Sequence, residues 1–351
     1  MKILFAGGGS AGHVTPNIAL IEHFQQVGWD IVYVGSVAGI ERELITSVPY
    51  RAISSGKLRR YFDWQNFIDP FRILWGFLQS LIICLRERPQ VVFSKGGFVA
   101  VPIVFAAWLW RIPVICHESD VTPGLANKLC FPVVRKICIN FPETARYVKN
   151  ADKTVVTGTP IRSSLLNGSR QAACDAFGLS SDRATLLVFG GSLGAVAINQ
   201  MVRTSLTKLL ESFQVVHVVG AGNISDIDTP GYVQTEFLLD EFGDVLALAD
   251  VVVARAGANS IYELLVSRKP HILIPLTSAA SRGDQLDNAK TFCAAGYSRM
   301  LDEKDGEALV DLVLQVYQDR QEIVHRIEEF AVIDSVAVIA DLVSLAVERR
   351  T

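Results

Sequence analysis

Residues 249–290 combine residue types that suit the binding of a phosphorylated ligand. The apolar run 249–254 is typical of a buried strand, and it breaks at Gly257 into a turn that leads to a predicted helix. Asn259 or Ser260 is the expected N-cap, and the N–H groups at such a helix start favour a phosphate. Glu263, expected in the first helical turn, would repel a phosphate but suits the two hydroxyls of a ribose. The pattern predicts a pocket for a nucleotide sugar.

The same pocket is expected to continue into the next strand and helix. A second apolar run, residues 271–274, ends at Pro275, and the following loop reaches Asp284. A helix is predicted to begin there, with Gln285 and Asn288 on one face because they are three residues apart.

A histidine follows the first glycine loop of the chain. Strand 2–6 runs into Gly7, Gly9 and Gly12, whose G-x-G-x-x-G spacing also occurs in dinucleotide-binding proteins. The next strand, 30–34, lacks the acidic residue that would bind a ribose, which argues against a dehydrogenase. His13 lies at the junction between loop and helix, where it can face a cleft; the alternative is a histidine that only caps or packs against the helix.

Two further loops leave the carboxyl ends of predicted parallel strands. Gly96 and Gly97 follow strand 91–94, and Glu118 and Asp120 follow strand 113–117. Open α/β sheets bind ligands at these ends, so the three loops are expected to face one cleft. A solvated turn is the alternative for the charged residues around Glu118.

The chain is expected to form two similar halves. Strands and helices alternate up to residues 158–160, which resemble a hinge, with Arg162 just beyond. A second series then starts with strand 185–189 and the glycine loop 190–194. We therefore predict an α/β protein with two Rossmann-like doubly wound domains that face a cleft, comprising residues 1–161 with 335–351, and 162–334. The last helix, from Ser335, is expected to return to the first domain.

Composition limits the function classes. A net charge of −3 over 351 residues gives no indication of nucleic-acid binding. The six cysteines form no C-x-x-C pair, which fits small core residues in a reducing cytoplasm. The apolar runs are shorter than the roughly 20 residues that a membrane-spanning helix needs.

A basic and aromatic region lies between residues 51 and 90, which contain seven Lys or Arg and three Asp or Glu. A helix is predicted from Pro70 to Arg88, and apolar residues cover most of its circumference, so most of it is expected to pack on the sheet. The adjacent cationic loop with Trp64 and Trp75 favours contact with an anionic membrane surface, because tryptophan and basic side chains both settle there.

Several motifs together resemble the MurG family of bacterial peptidoglycan glycosyltransferases. The resemblance spans the whole chain, and its motifs are the Gly7–His13 loop, Gly96-Gly97-Phe98, His117-Glu118, Gly124-Leu125-x-Asn127-Lys128, Pro160-x-Arg162, Gly190-Gly191-Ser192-x-Gly194, Arg255-x-Gly257 with Glu263, and Asp284-Gln285-x-x-Asn288. It implies the two-domain fold called GT-B and an inverting transfer of GlcNAc from UDP-GlcNAc to the C4 hydroxyl of MurNAc in undecaprenyl-linked lipid I, which gives lipid II. It also implies a peripheral protein on the cytoplasmic face of the cell membrane, without a cofactor.

The resemblance assigns roles to individual residues. The donor would be bound by Arg162, Ser192, Leu238 (uracil), Arg255, Glu263 (ribose), Gln285 and Asn288 (sugar hydroxyls). The acceptor and its phosphates would contact Gly9, Ser10, Ala11, Gly12, Gly96, Gly97, Phe98, Asp120 and Asn127. His13 is the first candidate for the base that deprotonates the acceptor, and Glu118 is the second, either as base or as the group that fixes the tautomer of His13. The expected membrane patch contains Lys57, Arg59, Arg60, Trp64, Leu74, Trp75, Phe77 and Trp108.

The chain departs from the family pattern at three positions, and alternatives stay open. Ala11 replaces a common glycine, Phe98 a common tyrosine and Asp120 a common asparagine. A UDP-GlcNAc 2-epimerase and a non-catalytic regulator that binds nucleotide sugars are the two competing hypotheses. Asp226 and Asp228 would suit a metal-dependent transferase, but they fall in a polar loop that we interpret as a solvated turn.

Overall fold

The computed structural model describes residues 1–56, 65–191, 194–238, 240–277 and 283–348, apart from the side chains of Ala11, residues 65–68 and Ser163. The chain divides into two compact units. Unit 1 contains Met1–Ile161 and Ile333–Thr351, and unit 2 contains Arg162–Val332.

Each unit is built on one parallel sheet. In unit 1 the strands are β1 (Lys2–Gly7), β2 (Asp30–Ser36), β3 (Tyr50–Ile53), β4 (Val91–Gly96), β5 (Val114–Glu118), β6 (Lys136–Ile139) and β7 (Thr154–Val156). In unit 2 they are β8 (Thr185–Phe189), β9 (Gln214–Val218), β10 (Tyr232–Thr235), β11 (Val251–Ala254), β12 (His271–Leu273) and β13 (Arg299–Met300). The spatial orders are β3-β2-β1-β4-β5-β6-β7 and β10-β9-β8-β11-β12-β13, with every pair parallel.

Helices connect the strands, as the alternating pattern of the sequence predicts. They are α1 (Thr15–Gln26), α2 (Glu41–Leu44), α3 (Gln65–Glu87), α4 (Ala100–Leu109), α5 (Leu125–Cys130), α6 (Ser163–Leu166), α7 (Arg170–Phe177), α8 (Val196–Ser212), α9 (Phe242–Leu248), α10 (Ala258–Val266), α11 (Asp284–Ala294), α12 (Leu309–Gln318), α13 (Arg320–Glu328) and α14 (Ser335–Glu348). In each sheet the strand order reverses between two central strands, β1 and β4 in unit 1 and β8 and β11 in unit 2. Each of these strands ends in a glycine loop, and this is the doubly wound arrangement. The prediction of two Rossmann-like domains is confirmed.

The C-terminal helix α14 belongs to the core of unit 1. Ile339 and Val343 are fully buried in one apolar cluster with Ile3 and Phe5 of β1 and Phe24 of α1. The sequence prediction that the last helix returns to the first domain is therefore confirmed.

Candidate active site

His13 lies on the loop that connects β1 to α1. A short 3-10 turn, Ala11–His13, follows Gly9, which has a left-handed φ of 85°. The Ser10 hydroxyl lies 2.9 Å from Nδ1 of His13, and the His13 N–H donates to the Ser10 carbonyl at 3.1 Å. The imidazole is half-buried. The contact between the Ser10 hydroxyl and Nδ1 therefore orients the imidazole ring, and both residues belong to the same loop.

The second glycine turn packs directly on the first. Gly96 and Gly97 both adopt left-handed φ angles, 96° and 80°. A Cβ at Gly97 would meet the carbonyl oxygen of Gly8, and a Cβ at Gly96 would lie 2.8 Å from the amide oxygen of Asn127. Larger residues would separate the loops, so the glycines let both loops and Phe98 gather at the carboxyl edge of the sheet.

Glu118 organises the third loop. Its carboxylate accepts hydrogen bonds from the Asp120 N–H (3.1 Å), the Gly124 N–H (3.0 Å) and the amide of Asn127 (2.9 Å). The Asn127 amide also donates to the His117 carbonyl at 3.1 Å. The buried carboxylate therefore fixes the start of α5, and its hydrogen bonds engage both carboxylate oxygens.

Lys95 is a buried cation beneath these loops that the sequence analysis did not single out. Its ammonium lies 2.7 Å from Nδ1 of His117 and also bonds the Ser119 hydroxyl, and His117 Nε2 donates to the Gly158 carbonyl at 2.8 Å. Burial lowers the pKa of Lys95 to about 7, although Glu118 and Asp120 oppose the shift. Burial also keeps the pKa of His117 well below its ordinary value, so His117 is neutral. The sequence signal that could have identified Lys95 is a lysine at the end of an apolar strand, directly before two glycines.

In unit 2 the charge of Arg162 acts on the carboxyl group of Glu263. Burial raises the pKa of the Glu263 carboxyl group to about 7, and the charge of Arg162 limits the rise. Glu263 is half-buried on α10, which follows the central strand β11. A desolvated carboxyl group beside a guanidinium is suited to bind hydroxyl and phosphate groups of one ligand.

The start of α10 differs from the sequence prediction. The helix begins at Ala258 with Gly257 as an extended N-cap, so neither Asn259 nor Ser260 is the cap. Glu263 consequently lies in the second turn rather than the first. The helix therefore begins two residues earlier than expected with Asn259 as the cap, and three residues earlier than expected with Ser260.

Arg255 is engaged within the protein. Its guanidinium is buried, donates to the carbonyls of Ile274 (3.1 Å) and Pro275 (3.4 Å), and pairs with Glu303 at 2.5 Å. Through these contacts Arg255 holds the loop after β12. Direct contact of Arg255 with the donor stays a prediction.

Gln285 and Asn288 attach α11 to the neighbouring loops. The side-chain oxygen of Gln285 accepts the Leu276 N–H at 3.0 Å, and the Asn288 amide donates to the Ala256 carbonyl at 3.2 Å. Asn288 is fully buried and Gln285 half-buried. Leu238 is half-buried after β10, and Ser192 lies outside the described residues.

One apolar stripe of α3 faces solvent, so less of this helix packs on the protein than the sequence analysis expects. One stripe of the helix is 42–73% exposed and consists of Phe71, Leu74, Trp75, Leu78, Ile82 and Leu85. The polar positions face the protein instead: the Gln79 side chain accepts the Ser54 N–H at 2.7 Å, and the Ser80 hydroxyl donates to the Gly76 carbonyl at 2.7 Å. A Cβ at Gly76 would meet the Ser54 carbonyl. Apolar residues therefore lie on two sides of α3, because Phe77, Leu81, Ile83 and Cys84 pack in the core.

The structure tests only the expected exposure of the residues in the predicted membrane patch. Leu74, Trp75 and Trp108 are exposed, whereas Phe77 is wrong because it packs against the core under α3 and α4. The remaining predicted members, Lys57, Arg59, Arg60 and Trp64, lie outside the described residues. No helix in the described ranges is both long and apolar enough to cross a bilayer.

Within the described part of the chain, no group of three or more His, Cys, Asp or Glu side chains is arranged to hold a metal ion. Asp226 and Asp228 are exposed, as the interpretation of a solvated turn predicts.

Comparisons with known proteins agree over both units. The glycosyltransferase family 28 N-terminal domain matches residues 3–139, and the C-terminal domain of that family matches residues 185–342. The chain is 50% identical over 322 residues to the UDP-N-acetylglucosamine--N-acetylmuramyl-(pentapeptide) pyrophosphoryl-undecaprenol N-acetylglucosamine transferase of Legionella pneumophila (strain Lens), covering 91% of this chain and 88% of that protein. It is 47% identical over 348 residues to the protein of that name from Clostridium kluyveri, covering 97% and 98%.

Solved structures share the fold. MurG of Acinetobacter baumannii superposes with a TM-score of 0.74 at 22% identity, covering 98% of this chain and 99% of that one. The UDP-GlcNAc 2-epimerase of Neisseria meningitidis, bound to UDP-GlcNAc, has a TM-score of 0.71 at 13% identity, covering 97% and 99%. At these identities the structures support the fold alone, whereas the domain matches and the close relatives extend over both units. The chain belongs to glycosyltransferase family 28.

Proposed function

We propose that this protein transfers GlcNAc from UDP-GlcNAc to the C4 hydroxyl of MurNAc in lipid I and forms lipid II, with inversion at the anomeric carbon. The observation that carries the proposal is 47–50% identity, over at least 91% of the chain, with transferases whose names state this donor and acceptor. The matched lengths, 322 and 348 residues, span most of both units.

The chemistry requires one proton acceptor and stabilisation of a leaving diphosphate. The acceptor oxygen forms a bond to the anomeric carbon, the bond from that carbon to the β-phosphate oxygen breaks, and UDP departs with the electron pair. His13 takes the hydroxyl proton, a step worth roughly 10²- to 10⁴-fold in rate. The three hydrogen bonds accepted by Glu118 support a role in holding the Asp120–Asn127 loop around the acceptor instead.

Unit 2 is the proposed donor-binding unit. Glu263 accepts hydrogen bonds from the ribose hydroxyls, and Arg162 offsets the charge that develops on UDP. Gln285 and Asn288 position the loops for the sugar, and Arg255 holds the Pro275 loop through Glu303. Leu238 and Ser192 keep their predicted roles toward uracil and phosphate.

Unit 1 is proposed to bind the acceptor and to rest on the anionic cytoplasmic face of the cell membrane. The exposed stripe of α3 runs over 15 residues from Phe71 to Leu85, and about 21 Å of helix separates these two ends. Trp108, Leu109 and Trp110 at the end of the adjacent α4 are exposed as well, with Arg88 and Arg111 nearby in the chain. Apolar and basic side chains together suit a surface of anionic lipid.

The deciding experiment incubates the purified protein with UDP-GlcNAc and a lipid I analogue. The expected product is lipid that carries GlcNAc, together with UDP, and its amount should fall at least 100-fold with His13→Ala. Formation of UDP-ManNAc without an acceptor would identify an epimerase instead. Binding of UDP-GlcNAc without turnover of either kind would identify a regulator.

A further inference from the structure

We propose that Glu41 is a positioning residue whose buried carboxylate occupies the anion-binding face of the first glycine loop and thereby fixes the segment that carries His13. The effect on turnover rests on the proposed function, whereas the effect on the loop does not.

The carboxylate of Glu41 connects three segments of unit 1. Glu41 begins α2 and is fully buried. Its Oε1 accepts the Ser36 N–H at 2.8 Å and the Ser36 hydroxyl at 2.6 Å, and its Oε2 accepts the Gly9 N–H at 3.1 Å. The end of β2, the start of α2 and the loop after β1 therefore meet at one side chain.

The surrounding backbone leaves room for this carboxylate only because three neighbours lack side chains. A Cβ at Gly8 or Gly39 would meet the carboxylate oxygens of Glu41, and a Cβ at Gly35 would lie 2.7 Å from its Cγ. Of these three glycines only Gly8 belongs to the first loop, and it is not one of the glycines of the G-x-G-x-x-G spacing, so the room for Glu41 could not be inferred from that spacing.

Glu41 is ionised in the folded protein. Burial would raise its pKa, but the hydrogen bonds from Ser36 and Gly9 outweigh burial and hold the pKa below its ordinary value. In dinucleotide-binding folds the N–H groups of such a loop face a pyrophosphate. Here the protein's own Glu41 carboxylate accepts the Gly9 N–H.

A second set of contacts holds the other parts of the loop. The Tyr33 hydroxyl donates to the Gly7 carbonyl at 3.0 Å, and the Asn17 amide contacts both the Tyr33 hydroxyl (3.2 Å) and the His13 carbonyl (3.4 Å). Glu41 anchors Gly9 from the opposite side. Ser10, which contacts the His13 ring, lies between the two anchors, so loss of Glu41 releases the Ser10 side while the β1 and α1 ends stay fixed.

The first test measures the loop itself by amide hydrogen exchange. Glu41→Ala and Glu41→Gln are compared with Glu87→Gln, a carboxylate of the same unit that pairs with Lys2 and Arg51. Exchange of the Gly9 amide is expected to be at least about 10-fold faster in both Glu41 variants and unchanged in Glu87→Gln. Unchanged Gly9 exchange in a folded Glu41 variant would overturn the proposal, and Glu41→Gln keeps the test possible if Glu41→Ala does not fold.

The second test separates kcat from KM. A base displaced by about 1 Å loses roughly 100-fold in rate, so Glu41→Gln is expected to lower kcat by 10- to 100-fold. The KM for UDP-GlcNAc should stay within about twofold, because the donor is bound by unit 2. A kcat equal to wild type, or a loss no larger than that of Glu87→Gln, would contradict the role. If the wild-type protein transfers no GlcNAc, the proposed function is wrong. The hydrogen-exchange experiment then still tests whether Glu41 holds the loop.

Discussion

The Ser10 hydroxyl lies 2.9 Å from Nδ1 of His13, so the imidazole has a fixed partner on the nitrogen nearest its backbone. When Nδ1 donates its proton to this oxygen, Nε2 carries the lone pair that a general base needs. We therefore propose that Ser10, three residues earlier in the chain, fixes the tautomer of His13, a role for which the sequence analysis considered Glu118.

Ser10→Ala should lower kcat by about 3- to 10-fold with little change in either KM, because the ring loses its orientation but not its basicity. Ser10→Thr retains a hydroxyl and should recover most of the loss. Steady-state kinetics with the lipid I analogue checks both variants. Equal kcat for Ser10→Ala and wild type would exclude the tautomer role.

Donor binding should depend on the protonation of Glu263. Its pKa is about 7 in the unliganded protein, and ribose hydroxyls donate to the carboxylate form, so binding lowers this pKa. Affinity for UDP-GlcNAc is therefore full above pH 7 and falls as the pH decreases through 7, by up to about 10-fold per pH unit. Calorimetric titration between pH 5.5 and 8 measures the slope. Glu263→Gln should bind more weakly and without this slope; a slope that persists in the variant would assign it to another group.

The ion pair between Arg255 and Glu303 should contribute to the stability of the fold and should hold the loop after β12. Glu303→Ala leaves a mostly buried guanidinium without its counter-charge and is expected to lower the free energy of unfolding by about 3 kcal/mol. The matched control is Glu328→Ala, which removes the partner of Arg268 in an exposed pair and should cost less than about 1 kcal/mol. Denaturant unfolding measures both. Similar losses for the two variants would show that Arg255 does not depend on Glu303.

The stripe on α3 should govern attachment to lipid. Trp75→Glu combined with Leu78→Glu places two charges on it and should reduce binding to phosphatidylglycerol vesicles at least 10-fold, measured by sedimentation. Turnover of a water-soluble acceptor analogue should stay within about twofold. Val332→Glu, at an exposed apolar residue of unit 2, is the control and should leave vesicle binding unchanged. Vesicle binding by the double variant at the wild-type level would contradict this role for α3.

The sequence predicts the fold well because the signals are local. Alternating apolar strands, glycine turns and helices predict both sheets, and the position of loops at carboxyl strand ends places His13, Gly97 and Glu118 at one edge. Errors arise where a distant segment decides the outcome. The burial of Phe77 and the exposure of Leu78 depend on which face of α3 the Ser54 segment contacts.

The missed residues have the same cause. Lys95 is 22 residues from its partner His117, and Glu41 is 32 residues from its partner Gly9. These partners reveal the roles of the two side chains. Lysine and glutamate are residue types that usually occupy solvent-exposed positions. Arg255 and Glu303 are likewise distant in the sequence, so their ion pair could not be predicted.

The place of α14 in the core of unit 1 also constrains biosynthesis. Ile339 and Val343 complete the apolar cluster that β1 and α1 begin, so the N-terminal unit cannot close its interior until these late residues have left the ribosomal tunnel. Unit 2 is one continuous stretch of the chain, so it can fold while translation continues. The first half to be synthesised is therefore the last to mature.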